Sequence, residues 1–214
     1  GVPKSRTDYG LPEDAFVFCC FNAYYKLEPR LFGVWMNLLR QVPRSVLWLG
    51  SGPEIAQENL RKQAAQYGVS PQRLIFCPFV PEADYLARYI VADLFLDTFI
   101  YGAGSTGACA LYAGLPLLGY AGHTNAARMG ASLCAAAGLP ELICRSAQDY
   151  AQKAVQMATQ PHQLRALRQR LQTRTAPLFD LSGFTRTLET AYVQMWARHT
   201  AGEPPTALRI PGTA

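Results

Sequence analysis

Charge and histidine are both scarce in this chain: 16% of its 214 residues are charged and three are histidine. Six cysteines are present, yet none forms a CxxC pair and no Cys/His cluster has metal-ligand spacing, so no structural zinc and no metal cofactor is expected. Most of these cysteines (Cys19, Cys20, Cys77, Cys109, Cys134 and Cys144) stand in apolar runs, as small buried hydrophobes do. That usage fits a reducing compartment, and a cytoplasmic protein is expected. No dense basic run occurs. Lys and Arg total 20 against 15 Asp and Glu, a formal charge of +5, which argues against a nucleic-acid partner. Arg165, Arg168, Arg170 and Arg174 read as a solvated helix face. No apolar stretch is long enough to span a bilayer and no secretory leader is visible, so no membrane association is expected. Internal repeats and low-complexity tracts are absent as well.

What is there is a chain half of whose residues are hydrophobic, enough for a full core. Residues 1–200 are expected to form one domain, including its C-terminal helices. Residues 201–214, with Pro, Gly and Thr in no pattern, are expected to be a frayed, disordered tail. The opening Gly1 and its loop-like surroundings suggest a piece of a longer protein.

The most informative stretch is 93–118. Leu94 to Leu96 is a short apolar run that reads as a buried strand. Gly102, Gly104 and Gly107 then surround Ser105 and Thr106, and a small-residue helix is expected from Ser105 to Ala113. Gly114 and Pro116 end it, and Leu115 to Leu118 starts another buried strand. A glycine turn at a helix N-terminus presents free backbone N–H groups to an anion, with the helix dipole in support. Glycine lets a ligand approach where a Cβ would block it, and Ser105 and Thr106 add hydroxyls. The pattern points to a phosphate or diphosphate site; the same residues also suit a turn that only reverses the chain.

Taken in order, strands are expected at Ala15–Phe21, Ser45–Leu49, Arg73–Cys77 and, at the end, Leu142–Ile143. Helices are expected at 30–41, Ile55–Tyr67, Glu82–Ala92, from Asn125 to about Ala137, and at Ala147–Ala158, Pro161–Arg174 and Leu181–Arg198. Phe184, Leu188, Tyr192 and Trp196 recur every fourth residue, so the last helix is expected to pack on something. Alternating strands and helices imply an α/β, Rossmann-like domain: a parallel sheet with helices on both faces. Ligands of such sheets sit at the C-terminal strand edge. Lys26, the Gly50–Gly52 turn, the Phe79–Tyr85 segment and the Gly102–Thr106 turn all follow strands and converge on that rim. An NAD-type oxidoreductase is disfavoured: no Gly-x-Gly-x-x-Gly follows the first strand and no acidic residue ends the second.

The stretches Leu11–Ala15, Phe21–Pro29, Val42–Leu49, Asp93–Thr98, Gly104–Gly107, Leu111–Pro116, Ala126–Leu133, Gly138–Ile143 and Val193–Trp196 resemble, in order, one known family. It is the C-terminal catalytic lobe of the O-linked N-acetylglucosamine transferases and their SPINDLY-like relatives, glycosyltransferase family 41. The resemblance covers roughly residues 10–205. It implies one lobe of a two-lobed GT-B enzyme. Such an enzyme moves N-acetylglucosamine from UDP-GlcNAc, or a related sugar from its nucleotide, to Ser or Thr of a protein acceptor. An N-terminal catalytic lobe and TPR repeats would lie outside this chain.

The resemblance also implies roles. Lys26 would meet the diphosphate and stabilise the leaving UDP, with Asn22 and Pro29 fixing its loop. Ser105 and Thr106 match the hydroxyl pair on the phosphates, beside the Gly102 and Gly104 backbone. Tyr85 stands where the family commonly stacks a histidine on uracil; a tyrosine ring can stack too, or simply fill the core. Val80 lies where backbone groups would read the uracil edge. Arg88 matches a basic residue of the family, or forms a solvated surface pair. Asn125 and Arg128 could approach the sugar, whereas His123 reads as surface. Four positions depart from the family pattern: Ala23 for an amide side chain, Gly104 for a histidine, Glu82 for a lysine, and Cys109 for the aspartate that commonly holds the ribose hydroxyls. A nucleotide-sugar-binding or scaffold module without transferase activity is therefore the alternative.

Overall fold

The computed structural model describes residues 5–78, 80, 82–173 and 177–210. Strands β1 (Phe16–Cys20), β2 (Ser45–Leu49), β3 (Leu74–Phe76), β4 (Leu94–Leu96), β5 (Leu117–Tyr120) and β6 (Ile143–Cys144) form one sheet in the order β3-β2-β1-β4-β5-β6. Every pairing is parallel. Helices on both faces leave these strands no solvent side, so β2 and β4 are buried at every residue. The order reverses between β1 and β4, which makes that junction the switch point of the sheet.

The helices are α1 (Pro29–Gln41), α2 (Glu54–Gln66), α3 (Glu82–Tyr85), α4 (Ala87–Val91), α5 (Ser105–Tyr112), α6 (Asn125–Ala136), α7 (Ala147–Thr159), α8 (Pro161–Gln172) and α9 (Leu181–Thr200). Local chemistry sets their ends. At α1 the Glu28 carboxylate accepts from the Arg30 and Leu31 amides at 2.7 and 2.8 Å, and Pro29 opens the helix. Its other end is closed from a distance: Arg73 Nη2 donates to the Leu39 and Val42 carbonyls, each at 2.8 Å. Thr124 and Ser146 cap α6 and α7 in the same way as Glu28 caps α1.

Several expected boundaries move for identifiable reasons. The β5 strand begins at Leu117, not Leu115, because Gly114 and Leu115 still close α5. Leu115 N bonds Ala110 O at 2.9 Å, Gly114 N bonds Leu111 O at 3.0 Å, and Gly114 has φ 81°. The expected helix 82–92 is broken at Leu86 into α3 and α4. Tyr89 and Arg88 turn inward there, leaving Leu86 and Ile90 exposed. The Arg165–Arg174 cluster is not a uniform solvated face. Arg168 is half-buried, lies 3.7 Å from Asp93 and donates to the Ala92 carbonyl, while Arg170 pairs with Glu141; Arg174 lies outside the described residues. Asp93 also takes Arg6 at 2.7 Å and the Val17 amide at 2.8 Å, so one carboxylate ties the chain start and α8 to the edge of β1.

The last helix departs most from expectation. Phe184, Tyr192 and Trp196 are exposed by 63%, 59% and 67%, and Leu188, Val193 and Met195 join them in an uncovered apolar face. After Thr200 residues 203–210 carry neither helix nor strand, with Glu203 held to Arg198 at 3.0 Å; residues 211–214 lie outside the description.

Candidate functional site

At the C-terminal edge of the sheet, over the β1/β4 switch point, the rim loops enclose a cleft of about 520 Å³. The first wall is the exit of β1. Asn22 is buried, and a short 3-10 turn, Tyr24–Lys26, aims the lysine across the cleft. Lys26 Nζ donates to the Gly102 carbonyl at 3.1 Å and lies 4.0 Å from the centre of the Tyr101 ring. One of its three N–H groups is used, and the ammonium faces the cleft.

The opposite wall is the loop from β4 into α5. Gly104 is the N-cap residue and no side chain caps it, so the first-turn amides beside Ser105 and Thr106 point into the cleft. The loop is fastened beneath by Asp97, whose Oδ1 accepts from Ala103 N at 2.6 Å, Thr98 N at 2.7 Å and Asn22 Nδ2 at 3.2 Å. Asn22 Oδ1 in turn accepts from the Thr106 hydroxyl at 2.6 Å. Burial pushes the Asp97 carboxyl up to about 6, against the opposing pull of those amide donors and of Lys26.

The third side is aromatic. Arg88 is buried, its guanidinium 4.0 Å from the ring centres of both Phe21 and Tyr85. Its Nη1 points at Cys77 Sγ at 3.6 Å, and its Nε has no hydrogen-bond partner among the described residues. Tyr85 and Val80 complete this side of the cleft. A flat apolar ring, a buried cation and a backbone edge suit a heterocyclic base.

Asn22, Lys26, Val80, Tyr85, Arg88, Gly102, Gly104, Ser105 and Thr106 therefore line one cleft. Asn125 does not: it is the exposed first residue of α6, and Met129, one turn further on, reaches the cleft in its place. Arg128 and His123 are exposed. Arg88 is no surface pair; the rings around it replace solvent. Phe79 lies outside the described residues, as does the side chain of Glu82. Cys109 is half-buried on α5, one turn beyond Ser105, its thiol pushed up by burial. Sequence reading placed the Gly50–Gly52 turn, with Ser51, on this rim, but missed Tyr25, Tyr101 and Met129 in the lining and Asp97 beneath it. Asp97 carried a usable signal: an acid directly after an apolar strand, at the rim where ligands bind.

Comparison with known proteins agrees with this fold. The model of glycosyl transferase family 41 matches residues 2–188. A probable UDP-N-acetylglucosamine–peptide N-acetylglucosaminyltransferase, SEC of Arabidopsis thaliana, is 38% identical over 211 residues, 97% of this chain and 22% of that protein. The UDP-N-acetylglucosamine–peptide N-acetylglucosaminyltransferase of Caenorhabditis elegans is 34% identical over 202 residues, 94% of this chain and 18% of its own length. Among solved structures, a Thermobaculum terrenum O-GlcNAc transferase mutant superposes with a TM-score of 0.81 at 31% identity, covering 89% of this chain and 40% of that one. The chain thus spans about a fifth of the length of these two curated relatives. With the family model matched from end to end of the sheet and the cleft intact at its switch point, this chain belongs to glycosyl transferase family 41.

Proposed function

We propose that this chain is the donor-binding part of a longer protein O-glycosyltransferase, one that transfers N-acetylglucosamine from UDP-GlcNAc to Ser or Thr of a protein acceptor. The observation that carries the reading is the convergence of Lys26 and the uncapped N-terminus of α5 on one cleft at the sheet's switch point. In this reading the base lies against Tyr85 and the backbone of Val80, with Arg88 behind. The diphosphate meets Lys26, the Ser105 hydroxyl and the first-turn amides. As the glycosidic bond breaks, negative charge grows on the UDP oxygens, and a fixed ammonium with fixed amides stabilises that charge more than the ground state. Lys26 is the residue assigned to that role. Charge neutralisation of this kind calls on no metal.

The acceptor hydroxyl, its base and the opposing wall are assigned to an N-terminal lobe, with TPR repeats for acceptor choice. The free state of every described cysteine supports placing the protein in the cytoplasm. A second reading, a nucleotide-sugar-binding module without transfer, is favoured by Cys109: a half-buried neutral thiol cannot hold ribose hydroxyls as a carboxylate would. Calorimetric titration with UDP, UDP-GlcNAc and NAD tests the assignment. Binding of UDP and UDP-GlcNAc is expected; binding of neither, or of NAD alone, would overturn it.

A further inference from the structure

The two walls that meet a diphosphate in the reading above come from different strands, and one buried side chain joins them. Asp97 is completely buried at the end of β4 and does not itself line the cleft. Its Oδ1 gathers three donors: Thr98 N and Ala103 N from the β4–α5 loop, and Asn22 Nδ2 from the β1 exit. The amides can only donate, so the accepting oxygen is fixed. Asn22 must therefore face Asp97 with its NH₂ and Thr106 with its carbonyl oxygen. The Thr106 hydroxyl then donates to Asn22 at 2.6 Å, and the second Asn22 N–H reaches Thr98 Oγ1 at 3.0 Å. Thr98 Oγ1 in turn holds the Tyr101 carbonyl at 2.5 Å. The relay Thr106–Asn22–Asp97–Ala103 closes a loop around the first turn of α5.

A second observation makes this more than packing. Asp97 Oδ2 is buried and has no hydrogen-bond partner among the described residues. It lies against Gly130 of α6, where a Cβ would overlap it. A carboxylate kept half-unsatisfied in the core costs stability. The fold retains it where the β1 and β4 loops must be held in register.

Resting on the nucleotide-sugar reading of the cleft, we propose that Asp97 is a positioning residue for the diphosphate. It acts through Asn22 and Ala103 to hold the first-turn amides of α5 and the Lys26 loop at the spacing a diphosphate needs, without itself touching ligand. The base subsite, built on Tyr85, Arg88 and Val80, shares no side-chain hydrogen bond with this relay among the described residues; Tyr89 links Tyr85 to the main-chain carbonyl of Thr106, which the variants below leave in place.

The test compares affinities for UDP and for uridine, which shares the base and ribose but has no phosphate. They are measured in the wild-type chain, in Asp97→Ala, in Thr106→Val, and in the double variant. Asp97→Ala is expected to weaken UDP about tenfold and uridine less than twofold. Thr106→Val is expected to weaken UDP in the wild-type background and to add nothing in the Asp97→Ala background, because both cut the same relay. Thr106→Ser, which keeps the hydroxyl, is expected to restore most of that loss. Should Asp97→Ala fail to fold by circular dichroism, Asp97→Ser replaces it, being too short to reach Ala103 N and Asn22 together. Equal losses for UDP and uridine, independent losses at the two positions, or unchanged UDP affinity would each overturn the assignment. A wild-type chain that binds neither ligand would instead overturn the donor-site reading on which it rests.

Discussion

The Tyr89 hydroxyl lies 3.1 Å from the Thr106 carbonyl and 3.1 Å from the Tyr85 hydroxyl. The Tyr89 hydroxyl is the donor toward both, its one proton shared between the Thr106 carbonyl and the Tyr85 hydroxyl. One buried phenol thus fastens the base side of the cleft to the first turn of α5. Burial pushes Tyr89 well above the ordinary tyrosine range, so it stays neutral and keeps donating. Tyr89→Phe leaves that carbonyl short of its donor and is expected to cost about 1–3 kcal/mol of stability. Urea unfolding with an unchanged slope measures this; a loss under about 0.5 kcal/mol would show that water replaces the bond.

Lys26→Ala is expected to weaken UDP at least about tenfold, or about 1.4 kcal/mol, with the thermal midpoint within a degree or two of wild type. Among the described residues Nζ makes one protein hydrogen bond, at the rim, and its removal leaves the core intact. Unchanged UDP affinity by calorimetry takes Lys26 out of the site.

Cys109→Asp is expected to tighten UDP and UDP-sugars, by restoring an acceptor one turn along α5 from Ser105. A hydrogen bond from ribose to a carboxylate contributes roughly 1.5–3 kcal/mol. A folded variant that binds UDP less well would mean that this face of α5 does not meet the ribose.

Stability should depend on pH through Asp97. Its carboxyl titrates near 6 in the fold against a reference of 3.8, because burial penalises the charge. The native state therefore holds this proton more tightly than the unfolded chain. The contribution is fully present below pH about 4 and is lost as pH rises through about 6, a swing of roughly 3 kcal/mol at 1.36 kcal/mol per unit. Lys26, Cys20, Cys134 and Tyr150 face Asp97 from β1's exit, β1, α6 and α7. Burial pushes the Cys20 and Cys134 thiols and the Tyr150 phenol far above their ordinary values, so none of these three groups changes charge in that window. Urea unfolding of Asp97→Asn between pH 4 and 7 should lack this component; an identical pH profile would refute it.

Residues 1–214 by themselves are expected to transfer no sugar. In the proposed reading the cleft supplies a cation and amides for a leaving diphosphate, but among the described residues its lining includes no histidine or carboxylate able to take an acceptor's proton. Orientation of an acceptor by a second wall accounts for up to about 7–11 kcal/mol of such a rate. Turnover of radiolabelled UDP-GlcNAc onto a Ser/Thr-rich peptide above the buffer control would contradict this.

The sheet and most helices were legible because apolar runs and capping residues act locally: Glu28-Pro29 starts α1, and Gly114 stops α5. The cleft was legible wherever a strand-exit loop carried a charged, hydroxylic or glycine residue. What escaped depends on tertiary placement. The burial of Arg88 needs Phe21, Tyr85 and Tyr89 to meet around it, from β1's end and from α3 and α4. Met129 rather than Asn125 faces the cleft because the N-terminus of α6 points into solvent. The apolar repeat on α9 was visible, but periodicity states that a face is apolar, not that this chain covers it.

The placement of β1 in the middle of the sheet bears on how the protein comes into being. β1 pairs first with β2, close by in sequence, whereas its other neighbour joins at Phe18 and Leu94, after three more helices and β3 have been made. The two lips of the cleft are the exits of β1 and β4. A growing chain therefore has no pocket until the distant strand docks, and closing that long connection is the entropically expensive step. In the proposed reading nucleotide rewards only the finished sheet: added to a refolding reaction, UDP should slow unfolding and leave the rate of assembly unchanged.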